Sequence, residues 1–215
     1  MPRALHGAAL LQNGQVLVAG GTNAEGTSNA TAELYSPTTG SWKATGSMFT
    51  GQNSPATLLP NGKMLVAGGD TAELHAPSTG QWISTAPLYY GASTGISATL
   101  LTNGDVLIYG NKFSCYAAQF FNPSAGTWTR TGQCGNSISH GPLTLLGNGK
   151  GLLAGDVITY SGRAFPTANS RLYDAATNSW SVTGSLLQPV AHSATRLLNG
   201  QVLAVGGSDA EIYTP

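Results

Sequence analysis

The residues able to do chemistry in this chain are few. Four histidines and two cysteines supply its soft ligands and nucleophiles. No Cys-x-x-Cys or close His pair occurs, so the usual ligand spacing of a zinc site is missing. His6 lies eight residues before Gly14, His192 eight before Gly200, and His140 nine before Gly149. Such recurrence fits packing better than a ligand set, so these are expected to be structural histidines, hydrogen-bonded near the start of a strand. Neither a metal nor another cofactor is expected. Glu33, Glu73 and Glu211 each stand directly before a Leu or Ile in one recurring segment. A catalytic carboxylate needs no repetition, so the three read as acceptors for backbone N–H groups. Glu25, Asp156 and Asp209 are too scattered for a pair of acid and base. The residues that interrupt the recurrence are more telling. They are Tyr89 and Tyr90 before Gly91, Phe113 and Tyr116 around Cys115, and Tyr160, Arg163 and Phe165 farther on. Aromatic faces stack on sugar rings or on partner side chains, and Arg donates hydrogen bonds. These seven are the candidate ligand-binding residues.

The elements that must position them follow one pattern, written five times. Each copy runs through Leu into Asn-Gly: Asn13-Gly14, Asn61-Gly62, Asn103-Gly104, Asn148-Gly149 and Asn199-Gly200. Asn-Gly between apolar runs reads as a type I′ hairpin turn. A short apolar run follows, such as Gln15 to Ala19, fit for a strand buried on both faces. Gly-Gly closes it at Gly20-Gly21, Gly68-Gly69 and Gly206-Gly207. A missing Cβ there permits positive φ or close approach of a neighbour. A third segment ends in an aromatic or His75, and four copies place a Trp seven residues later: Tyr35 to Trp42, His75 to Trp82, Phe121 to Trp128 and Tyr173 to Trp180. The fixed register of these Trp residues reads as core between neighbouring units, and His75 reads as packing. In the first copy the strands are expected at 6–11, 15–20, 32–36 and 41–45. Four short strands per repeat, with almost no helix, is the signature of a β-propeller. From the hairpin Gly to the strand-c position the spacing is 21, 13, 17, 24 and 13 residues. Length variation therefore concentrates between strands b and c, where recognition loops would sit.

The chain has 215 residues, enough for one domain with its own core. The repeats divide it at about 1–46, 47–86, 87–132, 133–184 and 185–215. Charged residues make up 8% and the net charge is zero. No basic field exists to attract phosphate, so nucleic acid and anionic membrane surfaces are not expected partners. No apolar stretch is long enough to insert in a bilayer. The charge-poor polar surface points to an extracellular or cell-surface setting, although no signal peptide is visible in the sequence.

These units resemble kelch repeats, closest to the Gly-Gly, Glu-Leu-Tyr-x-Pro and Gly-x-Trp pattern of bacterial kelch proteins and galactose-oxidase-like propellers. Two departures stand out. Copies three and four lose the second glycine, at Asn111 and Asp156, and copy five ends at Pro215 without a Trp strand. Either a five-bladed propeller has a three-stranded last blade, or the chain is part of a six- or seven-bladed one. Self-association through the terminal blades would follow from the missing strand. The resemblance implies that b–c and d–a loops share one face, with Asn-Gly turns on the other. Cys115 and Cys134 then lie on neighbouring loops, and a disulfide between them is expected. The resemblance is nonspecific as to function; loop diversity on a rigid frame, with no catalytic constellation, favours a non-catalytic module binding glycan or protein on the loop face. The alternatives are a carbohydrate- or alcohol-oxidising copper enzyme, and a purely structural segment of a larger surface protein. No motif matches the oxidase copper and Tyr-Cys arrangement residue by residue.

Overall fold

A computed structural model describes residues 2–89, 91, 94–112, 115–131, 141–160, 163–189, 193–206 and 209–215. At 94–95, 111–112, 115–117, 156–160, 163–164 and 166 only the backbone is described. The described residues contain no helix, and none of their segments is a helix long and apolar enough to cross a membrane. The chain divides into two compact units, Met1–Gly91 with Pro123–Thr127, and Ala92–Asn122 with Trp128–Pro215.

The first unit holds two antiparallel sheets. One is β1 (Gly7–Leu10), β2 (Val16–Ala19), β3 (Ala32–Ser36) and β4 (Ser41–Ala44), in chain order. The other is β5 (Ala56–Leu58), β6 (Met64–Gly68), β7 (Thr71–Ala76) and β8 (Gln81–Ser84). The apolar b strands build the core. Leu17 and Ala19 of β2 pack with Met64 and Val66 of β6, and Leu11, Met48 and Trp82 join them. Each buried Leu, Val or Met contributes about 1.5–3 kcal/mol.

The second unit repeats the scheme. Its sheets are β9 (Thr94–Leu100), β10 (Val106–Lys112), β11 (Cys115–Asn122) and β12 (Thr127–Arg130); then β13 (Leu143–Leu145), β14 (Gly151–Leu153), β17 (Ser170–Asp174) and β18 (Ser179–Thr183). A three-stranded sheet follows, β19 (Ser193–Arg196), β20 (Val202–Gly206) and β21 (Asp209–Tyr213). Leu107 and Tyr109 pack with Leu153 and Tyr173. Leu152 and Ala154 pack with Val202.

In two repeats the b–c connection, where recognition loops were expected, carries paired strand instead. The stretch from Val157 to Asn169 is not a loop: it carries a separate ribbon, β15 (Asp156–Tyr160) with β16 (Arg163–Thr167). Likewise Lys112, Cys115 and Tyr116 belong to a hairpin, with Lys112 opposite Cys115 and Asn111 opposite Tyr116. In the sequence, Ser161-Gly162 is a turn-type pair between two apolar runs, whereas Phe113-Ser114 carries no such signal.

The Asn-Gly turns also differ from type I′, which needs positive φ at both central residues. Outside glycine, only Leu5 and Asn178 have positive φ among the described residues, so Asn13 and its equivalents do not. Gly14 donates to Leu11 O at 3.0 Å and Leu11 donates to Gln15 O at 2.8 Å. That is a three-residue loop with a left-handed Gly. It recurs in all five copies, at Leu59, Leu101, Leu146 and Leu197. Asn has its own job there. Its Oδ1 accepts from the amide two residues on, at Gln15, Lys63, Asp105, Lys150 and Gln201, within 3.0–3.1 Å.

Candidate functional site

Strand order and antiparallel pairing put the b–c and d–a connections at one end of each blade, and the Asn-Gly and c–d turns at the other. At the first end the chain is tightly tied down. A Cβ on Gly20 would come 2.2 Å from Gln52 O, and one on Gly21 would come 2.5 Å from Ala4 O. Both glycines have positive φ, 70° and 90°. The Gly-Gly pair thus serves both purposes expected of it. Asn23 Oδ1 accepts from the Glu25 and Thr27 amides and shapes the loop between β2 and β3.

The repeated glutamates hold the d–a connections. Glu73 accepts from Phe49 N at 2.8 Å and Thr50 N at 3.0 Å, one amide to each carboxylate oxygen. Glu211 does the same for Leu187 N and Gln188 N, at 2.6 and 2.9 Å. Glu33 instead meets Arg3 at 2.8 Å, whose guanidinium also donates to Gly20 O and Thr31 O. The expected backbone role is seen at Glu73 and Glu211. The same register position carries Gln119 and Arg171 in the remaining blades, and Gln119 is buried. A change of residue type hid that column from the sequence reading.

The recurrent aromatics form cross-strand pairs. Ring centroids lie 4.9–5.2 Å apart in Tyr35–Trp42, His75–Trp82, Phe121–Trp128 and Tyr173–Trp180. The tilted geometry suits their quadrupoles. His75 is fully buried, its Nε2 lies 3.3 Å from Thr45 Oγ1, and burial pushes its pKa below the ordinary value. The expectation that every Trp is core is corrected at Trp42, which is 56% exposed. Trp82 donates to Gly46 O at 2.7 Å and Trp180 to Thr131 Oγ1 at 3.2 Å. Trp42 has no such hydrogen bond among the described residues.

Of the candidate binders, Tyr89 is exposed on the connection after β8, and Phe165 is 45% exposed on the ribbon. Tyr160 and Arg163 are direct cross-strand partners at the ribbon's end, and Phe165 faces Ile158 across it. Tyr116 lies in β11. Tyr90 and Phe113 lie outside the described residues, as do His140, His192 and Cys134. Cys115 is opposite Lys112, so the expected disulfide falls partly outside them too. Tyr89 belongs to the first unit and the ribbon residues to the second. Phe49, 72% exposed on the connection held by Glu73, was missed. Its place in a d–a segment was the available signal. His6 is exposed and makes no hydrogen bond among the described residues, contrary to the bonded role expected for it. No group of three His, Cys, Asp or Glu among the described residues could hold a metal.

The opposite end carries a recess in each unit. In the first, of about 370 Å³, Gln12, Lys63, Ala76 and Ser78 are among the lining residues. In the second, of about 280 Å³, their counterparts include Thr102, Lys150, Asp174 and Ala176.

A kelch motif matches residues 2–48, the first repeat. Among solved structures, one titled "Structure of YjhT" is similar with a TM-score of 0.76 and 18% identity, covering 98% of this chain and 81% of that one. No curated protein matches. The fold is an all-β propeller built of five kelch-like repeats, the last of them three-stranded. Kelch-type propellers support binding and interaction in general.

Proposed function

We propose that this chain is a non-catalytic recognition module that binds a glycan or a protein through the end of its blades where b–c and d–a connections lie. One observation carries the reading. Phe49, Tyr89 and Phe165, 72%, 56% and 45% exposed, stand on those connections. Phe49 is held through Glu73 and Phe165 through the β15–β16 pairing, and exposed rings on held segments cost little ordering on binding. Variation in the b–c segments, from the tight Gly68 to Thr71 hairpin to the β15–β16 ribbon, supports the same reading. The setting we propose is extracellular or cell-surface, with a Cys115–Cys134 disulfide.

The test uses protein purified without reductant, its bridge checked by mass spectrometry after alkylation; two alkylated thiols would remove the disulfide from the proposal. Glycan and protein arrays identify a ligand, and affinity is then measured for Tyr89→Ala and Phe165→Ala. Loss of an anchoring ring is expected to weaken binding roughly tenfold or more with the melting temperature unchanged. Wild-type affinity in both variants, or no ligand retained at micromolar protein, overturns the reading.

A further inference from the structure

The two turn-end recesses are built from the same register positions. Each lies between the Asn-Gly turn of one blade and the Asn-Gly and c–d turns of the next. Gln12 lies over Gly62, its Oε1 3.0 Å from where a Cβ would stand, and Thr102 lies over Gly149 in the same way at 3.1 Å. Each recess presents one lysine, the residue after the turn glycine: Lys63 in the first unit and Lys150 in the second. They differ in one respect. Lys150 Nζ is 3.2 Å from Asp174 Oδ2, and that pairing holds the Asp174 carboxyl below its usual pKa. Position 76, the counterpart of 174, is alanine. Lys63 forms no ion pair among the described residues.

The first recess is therefore the second with its internal carboxylate removed. It keeps the ammonium and side-chain polar groups of Gln12 and Ser78. It is the larger of the two, and Leu11 and Pro77 supply apolar surface. A carboxylate seated where Asp174 sits in the second unit would restore the pair, and the volume beside it accommodates the body of one sugar or amino acid. We propose that this recess is a second ligand site, one for a small organic acid whose carboxylate pairs with Lys63. Ala76 keeps the site open by leaving out the competing acid. This site is separate from the loop end and stands or falls independently of it.

The probes are D-galacturonate and its neutral counterpart D-galactose, followed by amide chemical shifts. Galacturonate is expected to saturate at millimolar concentration and shift the amides of Gly62, Lys63 and Ser78, whereas galactose leaves them in place. Lys63→Met is expected to weaken binding about tenfold. Ala76→Asp supplies the internal acid, as in the second unit, and is expected to abolish binding without lowering the melting temperature. Asp174→Ala should create a new galacturonate response at Lys150. Equal responses to both sugars, shifts elsewhere on the protein, or wild-type binding by Ala76→Asp overturns the proposal.

Discussion

At the scale of single residues, the repeat assigns each position a task and lets several residue types perform it. The strand-c aromatic is Tyr, His, Phe, Tyr and Tyr through the five copies. Packing was legible there because the seven-residue spacing to Trp is that of two residues facing each other across a hairpin, as Tyr35 faces Trp42 and Tyr173 faces Trp180. Asn178 makes the same point. It takes the left-handed position held by Gly40, Gly80 and Gly126, and its Oδ1 accepts from Tyr173 Oη at 2.9 Å. Asn tolerates that conformation better than other side chains. His75 alone gives its position a titration below neutral pH. It is fully buried, its Nδ1 has no partner among the described residues, and burial holds its pKa below the ordinary 6.5. The unfolded chain therefore binds this proton more readily than the folded one. Stability from the neutral ring is fully present above about pH 6.5 and is lost as pH falls from there toward the folded pKa, by at most about 1.4 kcal/mol per pH unit. Urea unfolding at pH 7 and pH 5 should show wild type losing more stability than His75→Phe. Equal losses in the two proteins would remove His75 as the cause.

At the scale of elements, strands were read well and connections badly. β3 lies where the sequence placed it, at 32–36, and β1, β2 and β4 fall within their expected ranges. Strand and turn signals are local, so one copy teaches the next. The connections are not repeated, so no other copy teaches the β15–β16 ribbon, although Asp156–Tyr160 and Arg163–Thr167 are strand-like runs. The turn type was misread because Asn was credited with positive φ, when its Oδ1 bond to the following strand explains its presence. The glycines separate backbone freedom from close approach. Gly14 has φ 80° and open space around its missing Cβ, whereas Gly20 has φ 70° and Gln52 O at 2.2 Å. Gly14→Ala should cost only the left-handed penalty, roughly 1–2 kcal/mol. Gly20→Ala should cost about 2 kcal/mol more, because a backbone oxygen must move. Urea midpoints of the two variants measure the difference. Equal costs would mean that the d–a connection is not packed against Gly20 in solution.

At the scale of the whole molecule, the fold was legible because five turns and four Trp recur in register, while ligand was not, because the exposed aromatics belong to segments without repetition. The fifth copy is described as far as its strand c. In four blades strand c lies between b and d. In the fifth, β21 pairs with β20 and with no other strand among the described residues. Tyr213 carries the recurrent aromatic with no Trp facing it, its hydroxyl 2.8 Å from Thr183 Oγ1 instead. Ile212, 51% exposed, leaves apolar surface on this edge strand. An unpaired strand edge is a template for another chain. For these 215 residues taken by themselves, association through β21 is expected, appearing in light scattering as a mass that rises with concentration across the micromolar range. Ile212→Lys places a charge on the edge, the device natural sheets use against such pairing, and should return the protein to monomer with little change in melting temperature. A wild type that stays monomeric throughout, melting cooperatively at about 45–65 °C, would show that a three-stranded last blade is stable with its edge open and that the terminal strand recruits nothing.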